Sequence, residues 1–135
     1  MRKEIDVTIQ DDNRDKGKTF HIVEMPAWQV ERWAMRCVLA LGRAGVDMPD
    51  DVAAGGIAGL ASAGLRALLK LNYDDAAPLL DEMLACVSIK CDPARPDITR
   101  NLFPDDIEEV STFAQLRMEV FTLHTGFSMP GKKQS

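Results

Sequence analysis

The sequence predicts an α+β fold that is mainly helical, in which about four helices pack with a small N-terminal β-hairpin. Three observations support this prediction. Near the N-terminus apolar residues alternate with polar ones, which is typical of half-buried strands. Farther along, apolar residues recur at three- and four-residue spacing over three long segments, which indicates amphipathic helices. Between the first two of these segments lies an apolar stretch rich in glycine and alanine.

The predicted hairpin spans residues 3–25. Its first strand covers residues 3–9, where charged or polar residues alternate with Ile5, Val7 and Ile9. Residues 19–25 alternate in the same way and supply the second strand, and the polar segment 11–18 predicts the connecting turn or loop. Because an isolated two-stranded hairpin is marginally stable in water, we expect it to pack on the helices or to gain a third strand.

The predicted helical core spans residues 26–126. The first helix covers residues 26–44, because Pro26 suits a first helical turn and Gly45 suits the position after the last turn. Another helix covers 75–86, with Asp74 or Asp75 as its cap. The residues that follow alternate again, which makes 87–91 a candidate third strand.

The last helix is predicted over residues 106–124. It is preceded by Asp105-Asp106-Ile107-Glu108, which has the Asp-x-x-Glu pattern of a capping box. After the candidate third strand, Pro93 and Pro96 predict that residues 92–96 are extended, because a proline disfavours helix at the residue before it.

The glycine-rich stretch Val52–Leu71 predicts a helix that breaks near Gly55-Gly56 or near Gly64. Its first charge, Arg66, comes too early for the stretch to cross a membrane. Glycine destabilises a helix interior, so close packing of another backbone must offset that cost. The partner is either the protein's own fold or a neighbouring copy. In the second case the candidate self-association residues are Gly55, Gly56, Gly59 and Gly64.

Length and composition predict a single domain over residues 1–128 and a flexible tail over 129–135. The formal net charge of −5 argues against nonspecific nucleic-acid binding, which requires basic residues to neutralise phosphates. No signal peptide or membrane span is predicted, and the three cysteines are expected to be reduced thiols. We therefore expect a soluble, intracellular protein.

The sequence offers no recognisable catalytic or metal-binding pattern, so we predict a protein that is not an enzyme and binds no cofactor or metal. Its two histidines, His21 and His124, are expected to be structural or exposed residues. Cys86 and Cys91 are too far apart for a zinc-binding pair, and no second pair completes four ligands. The glycine-rich stretch matches neither of the common phosphate-binding patterns.

A few apolar residues are candidate contacts with a partner protein. Trp28 and Trp33 are five residues apart on the first predicted helix, so they lie on different sides of it. Either both belong to the core or one marks a partner surface. The candidate contacts are Trp28, Phe127 and Met129.

Most of the chain, residues 19–128, resembles the tail assembly chaperone family of long-tailed bacteriophages. The resemblance lies in the order of several short segments rather than in one diagnostic motif. These segments are Thr19–Ala27, Trp33–Arg36, Gly45–Pro49, Pro78–Met83, Asp106–Val110 and Leu116–Phe127.

The resemblance implies a non-enzymatic protein of the host cytoplasm that binds the tape measure protein and helps recruit tail-tube subunits. It also implies absence from the mature virion, a mainly helical fold and a capacity to form homo-oligomers. Family members commonly have a longer form made by ribosomal frameshifting, and Pro130-Gly131-Lys132 is compatible with a slippery codon run. The main alternative is a structural phage component, such as a head–tail connector or minor tail protein, that stays in the virion. A small enzyme and a DNA-binding regulator are the remaining alternatives.

Overall fold

The first two strands form a hairpin within a four-stranded sheet of order β1-β2-β3-β4, in which all neighbouring strands are antiparallel. In this computed structural model, residues 2–46 and 64–126 are described. The strands are β1 Glu4–Thr8, β2 Thr19–Val23, β3 Val87–Lys90 and β4 Arg100–Asn101. The hairpin and the candidate third strand are confirmed. The two-residue strand β4 was not expected. The prediction that residues 92–96 are extended was wrong, because the N–H of Arg95 donates to the carbonyl of Asp92 at 2.9 Å and closes a turn.

Three α-helices and two short 3-10 helices complete the described part of the chain. The α-helices are α1 Ala27–Arg43, α2 Tyr73–Leu84 and α3 Val110–Thr125, and the 3-10 helices are Leu65–Lys70 and Pro104–Asp106. The fold is therefore α+β and mainly α, as predicted. Among these helices, none combines the length and the apolar content that crossing a bilayer requires.

The chain divides into two compact units. The first contains Met1–Glu24 and Met83–Leu123, and the second contains Met25–Glu82 and His124–Ser135. The first unit holds the sheet and most of α3, and its core includes Ile9, Phe20, Ile22, Leu116 and Val120. The second holds α1, the first 3-10 helix and most of α2, and its core includes Trp33, Cys37, Leu41, Leu68 and Leu79. A single domain over 1–128 stays a prediction.

Helix α1 follows its predicted bounds closely. It begins directly after Pro26, which has the extended φ of −58° and ψ of 151°. At its other end Gly45 has φ of +84°, a left-handed conformation that glycine adopts without a Cβ clash. On its buried face the indole N–H of Trp33 donates to the carbonyl of Leu79 at 3.0 Å, which joins α1 to α2.

Helix α2 begins two residues earlier than predicted. Its cap is also different, because the side-chain oxygen of Asn72 accepts the N–H of Asp75 at 2.9 Å. Asn72 thereby satisfies one of the free N–H groups of the first turn, as an asparagine at the N-cap position commonly does. Asp74 and Asp75 instead lie within the first turn, where their charges interact favourably with the helix dipole.

The prediction that the last helix begins at residue 106 was wrong, since α3 begins at Val110. Ile107 is extended, with φ of −116° and ψ of 120°, and its side chain is buried. The carboxylate of Asp106 accepts the N–H of Phe103 at 2.6 Å and therefore belongs to the preceding 3-10 helix. The N–H groups of the two residues immediately before α3, Glu108 and Glu109, are bound by a residue far away in the sequence, Asp15.

Candidate functional site

Among the glycines predicted for self-association, the structure describes only Gly64. Gly64 has φ of +82° and ψ of 160° and immediately precedes the 3-10 helix Leu65–Lys70. The residues that would form a helix before Gly64 lie outside the described residues, so a helix break at this position stays a prediction. A Cβ built on Gly64 would meet no atom within 4 Å, so this glycine is not required by close packing of the described residues. Gly55, Gly56 and Gly59 lie outside the described residues, and the self-association role stays a prediction.

The two tryptophans occupy opposite environments, as one of the alternatives anticipated. Trp33 is 1% exposed, whereas Trp28 is 61% exposed. The guanidinium of Arg32 lies 5.3 Å from the centre of the Trp28 ring, a distance at which a cation interacts favourably with an aromatic face. Trp28 is therefore the predicted contact residue that the structure places on a surface. Phe127 and Met129 lie outside the described residues.

Both units expose large apolar side chains. In the second unit these are Trp28, Leu39, Leu69 and Tyr73. In the first unit they are Ile98, Phe103 and Val110, and Phe103 borders an open apolar groove of about 510 Å³. The groove is also lined by Leu84, Val87, Leu102, Ile107 and Phe113. We refer to the seven exposed residues of the two units as the apolar surface residues: Trp28, Leu39, Leu69, Tyr73, Ile98, Phe103 and Val110.

Among the described residues of the first unit, Asp15 has a densely hydrogen-bonded side chain, and it lies in the segment 11–18 that was predicted to be a turn or loop. Its side chain is fully buried. One carboxylate oxygen accepts from Lys18 Nζ at 2.8 Å and the other from Thr112 Oγ1 at 2.6 Å. The backbone N–H groups of Glu108 and Glu109 also donate to this carboxylate, each at 3.0 Å. From the β1–β2 loop, Asp15 therefore holds the segment that leads into α3 and, through the Thr112 hydroxyl, the first turn of α3 itself.

The charge of Asp15 is stabilised by these donors. Burial would by itself raise the pKa of the carboxyl group, but the hydrogen bonds from Lys18, Thr112 and the two backbone N–H groups outweigh burial. The pKa of Asp15 is consequently held well below its ordinary value. Lys18 is held in turn by the carbonyl of Asp106 at 2.9 Å and by the Glu108 carboxylate at 2.9 Å.

Two arginines reinforce the same region. Arg14 contacts both carboxylate oxygens of Glu109, with Nε at 2.9 Å and Nη2 at 3.2 Å, and Nη2 also donates to the carbonyl of Glu108. Arg100 makes a similar two-pronged contact with Asp106, at 2.7 and 2.8 Å. This hydrogen bonding from Arg100 lowers the pKa of Asp106. The guanidinium of Arg100 also lies 4.4 Å from the ring centre of Phe103, so it orients a residue that borders the apolar groove.

The two histidines make contacts within their own units. The Nδ1 atom of His21 lies 2.6 Å from Asp6 Oδ1, and its Nε2 atom lies 3.1 Å from Glu4 Oε1. His124 accepts the backbone N–H of Met25 through Nε2 at 2.8 Å. Both arrangements are consistent with structural roles for the rings.

The cysteines differ in accessibility. Cys37 is buried, and burial raises the pKa of its thiol to about 12. Cys86 is partly buried and Cys91 is exposed, and all three are free thiols. Over residues 2–46 and 64–126, no group of three or more His, Cys, Asp or Glu side chains has the arrangement of a metal site.

The chain was compared with protein-family models, with curated proteins and with solved structures. None of the three comparisons found a match.

Proposed function

We propose that this protein is a non-enzymatic tail assembly chaperone of a long-tailed bacteriophage. In this proposal it binds the tape measure protein in the host cytoplasm and helps recruit tail-tube subunits. The observation that carries the proposal is the order of similar segments over residues 19–128. A frameshifted longer form, homo-oligomers and absence from the mature virion belong to the same proposal.

The apolar surface residues supply contact chemistry that suits such a role. A long client chain that has not yet assembled exposes apolar segments, and a chaperone holds it through several modest apolar contacts rather than one deep pocket. Trp28 offers a large rigid ring for such a contact, and Arg32 beside it adds a charged rim. Leu39, on the same helix, is also exposed.

Copurification tests the client contact. We expect tagged protein to retain the tape measure protein encoded beside it, and Trp28→Ser to lower the retained amount several-fold while helical content is unchanged. Gln10→Ser provides a matched control, because Gln10 is exposed and polar. A second variant that ends at Gly126 removes Phe127 and Met129 and tests the other two predicted contacts. Full retention of the client by both variants would contradict the assignment of these contacts.

Mass spectrometry of purified virions separates the proposal from its main alternative. A chaperone that leaves during assembly is expected in lysates of infected cells but not in purified particles. A head–tail connector or minor tail protein would be present in particles at a fixed number of copies, and that result would replace the chaperone proposal.

A further inference from the structure

The outer edge of β1 has no neighbouring strand among the described residues. In the part of the chain that the structure describes, β1 pairs only with β2. In an antiparallel pair, alternate residues direct both their N–H and C=O groups at the neighbouring strand. The N–H of Ile9 donates to the carbonyl of Lys18 at 2.9 Å, so the odd-numbered residues face β2. The groups that face away from β2 belong to Glu4, Asp6 and Thr8.

This edge is regular enough to accept a strand. All five residues of β1 pair in continuous register with β2, and β1 contains no proline. Edge strands in natural proteins are commonly protected by proline, by bulges or by charged side chains. Within Glu4–Thr8, β1 has no proline and no bulge, and its charged side chains are the carboxylates of Glu4 and Asp6. Regular edges of this kind bind extended peptides through backbone hydrogen bonds, and the alternating side chains determine which peptide is accepted.

The side chains of β1 define what such a peptide must look like. Glu4 and Asp6 lie on the exposed face of the sheet, while Val7 is buried on the other face and Ile5 is partly covered. A strand added beside β1 would place every second side chain next to these two carboxylates. Its remaining side chains would extend the apolar layer formed by Ile5 and Val7.

Charge distinguishes between possible occupants of this edge. Asp6 contacts His21 on β2 and Lys90 on β3, the latter at 2.7 Å. The carboxylate of Glu4 also contacts His21, at 3.1 Å from Nε2, but it is 60% exposed and so remains accessible to a further basic group. The strand itself contains no basic residue. If two copies of β1 paired antiparallel about Asp6, this residue would face its own copy, and like charges in that position are destabilising. The edge therefore favours a basic partner over a second copy of the chain.

We propose that β1 binds an extended segment of another protein in which basic residues alternate with apolar ones, and that this segment adds to the sheet as a fifth strand. This proposal rests on the geometry and charge of β1 and is independent of the proposed chaperone function. Backbone hydrogen bonds at Glu4, Asp6 and Thr8 would provide affinity. Contacts of basic side chains with Glu4, and of apolar side chains with Ile5, would provide selectivity.

The test uses the full chain and a blocked hexapeptide of alternating lysine and valine. We expect saturating peptide to slow amide hydrogen exchange at Glu4, Asp6 and Thr8 by about tenfold, since these N–H groups would become hydrogen-bonded. Exchange at Ile5 and Val7, which already face β2, should stay the same. The control peptide contains three lysines followed by three valines and should produce no such protection.

A charge reversal tests selectivity. We expect Glu4→Lys to weaken binding of the alternating peptide by about fivefold or more, because an attraction becomes a repulsion. Glu31→Lys makes the same charge change at an exposed position on α1 and should leave binding unchanged. Equal binding of the two peptides, or binding without protection at the three amides, would overturn the proposal. Formation of a dimer through β1, detected by light scattering and abolished by Glu4→Pro, would overturn it in favour of a second copy.

Discussion

The hydroxyl of Thr112 donates a 2.6 Å hydrogen bond to a carboxylate oxygen of Asp15, a residue 97 positions earlier in the chain. Both side chains are buried. Asp15 lies in the loop between β1 and β2, and Thr112 lies in the first turn of α3, so one contact connects the hairpin to the last helix. Together with the hydrogen bonds from the N–H groups of Glu108 and Glu109, it fixes the start of α3 against a loop that is remote in the sequence.

Asp15→Asn should lower the free energy of unfolding by roughly 2–4 kcal/mol. The donors that now share two carboxylate oxygens would have only the one acceptor oxygen of the amide. The substitution would also leave the Lys18 ammonium without its buried, negatively charged partner. Urea denaturation followed by circular dichroism measures the change. Asp12→Asn makes the same substitution at a side chain that is 98% exposed, and it should alter the free energy of unfolding by less than about 0.5 kcal/mol. Equal stability of Asp15→Asn and the unmodified protein would show that Asp15 does not hold the first unit together.

Stability should decrease in acid, and Asp15 should account for part of the decrease. Because folding lowers its pKa below the ordinary value of 3.8, its contribution is complete above that value and is lost as the pH falls toward its folded-state pKa. Asp6, Asp106 and Glu109 also have lowered pKa values and act in the same direction. The stability difference between the unmodified protein and Asp15→Asn should therefore narrow as the pH falls below about 4. A difference that stays constant over that range would contradict the assignment.

Trp33→Phe should lower the free energy of unfolding by about 1–3 kcal/mol. It removes the indole that lies in the core of the second unit, and it leaves the carbonyl of Leu79 without the indole N–H as donor. Trp28→Phe is the matched control and should change stability by less than about 0.5 kcal/mol. Fluorescence gives a second measurement. In Trp28→Phe the remaining emission should resist quenching by iodide, whereas in Trp33→Phe it should be readily quenched. The reverse pattern would contradict the assigned environments.

Cys91 should be the first thiol to react with an aromatic disulfide reagent under native conditions. Reaction requires the thiolate and access to it, and Cys37 is buried with a pKa raised to about 12. Replacing Cys91 by serine should remove the fastest phase of the reaction, and unfolding in urea should make Cys37 reactive. Rapid modification of Cys37 in the folded protein would show that the core around it opens readily.

Local sequence patterns were sufficient for much of the fold. The alternation at Ile5, Val7 and Ile9 predicted β1, and the placement of Pro26 and Gly45 predicted both ends of α1. These predictions depend only on neighbouring positions, because side chains alternate along a strand with a period of two residues and the residue preferences at helix ends extend over a single turn. The candidate third strand was also found, since its alternation has the same origin.

Other features depended on contacts that a local pattern does not contain. The start of α3 was predicted at residue 106 because Asp105 to Glu108 match a capping pattern. In the structure Asp106 binds Arg100 and Phe103, and the N–H of Glu108 is bound by Asp15. The strand β4 has two residues, too few for any alternation to be seen. A charged residue in a polar loop predicts solvent exposure, and only the folded arrangement reveals that Asp15 is buried.

For the candidate contact residues, too, one part could be predicted from local spacing and another required the folded structure. The spacing of Trp28 and Trp33 established that they lie on different sides of α1, but it did not indicate which one is exposed. The structure assigns Trp28 to the surface and Trp33 to the core. The sequence does not predict which backbone groups of β1 face away from β2, because their direction follows from the register of the two strands.

Co-expression with the neighbouring tape measure protein tests the chaperone proposal most directly. The measured quantity is the fraction of tape measure protein that remains in the supernatant after high-speed centrifugation, with and without this chain. The proposal predicts that the soluble fraction rises several-fold with the chain present and that a stable complex can be isolated. A soluble fraction that is the same in both cases, with no complex recovered, would contradict it.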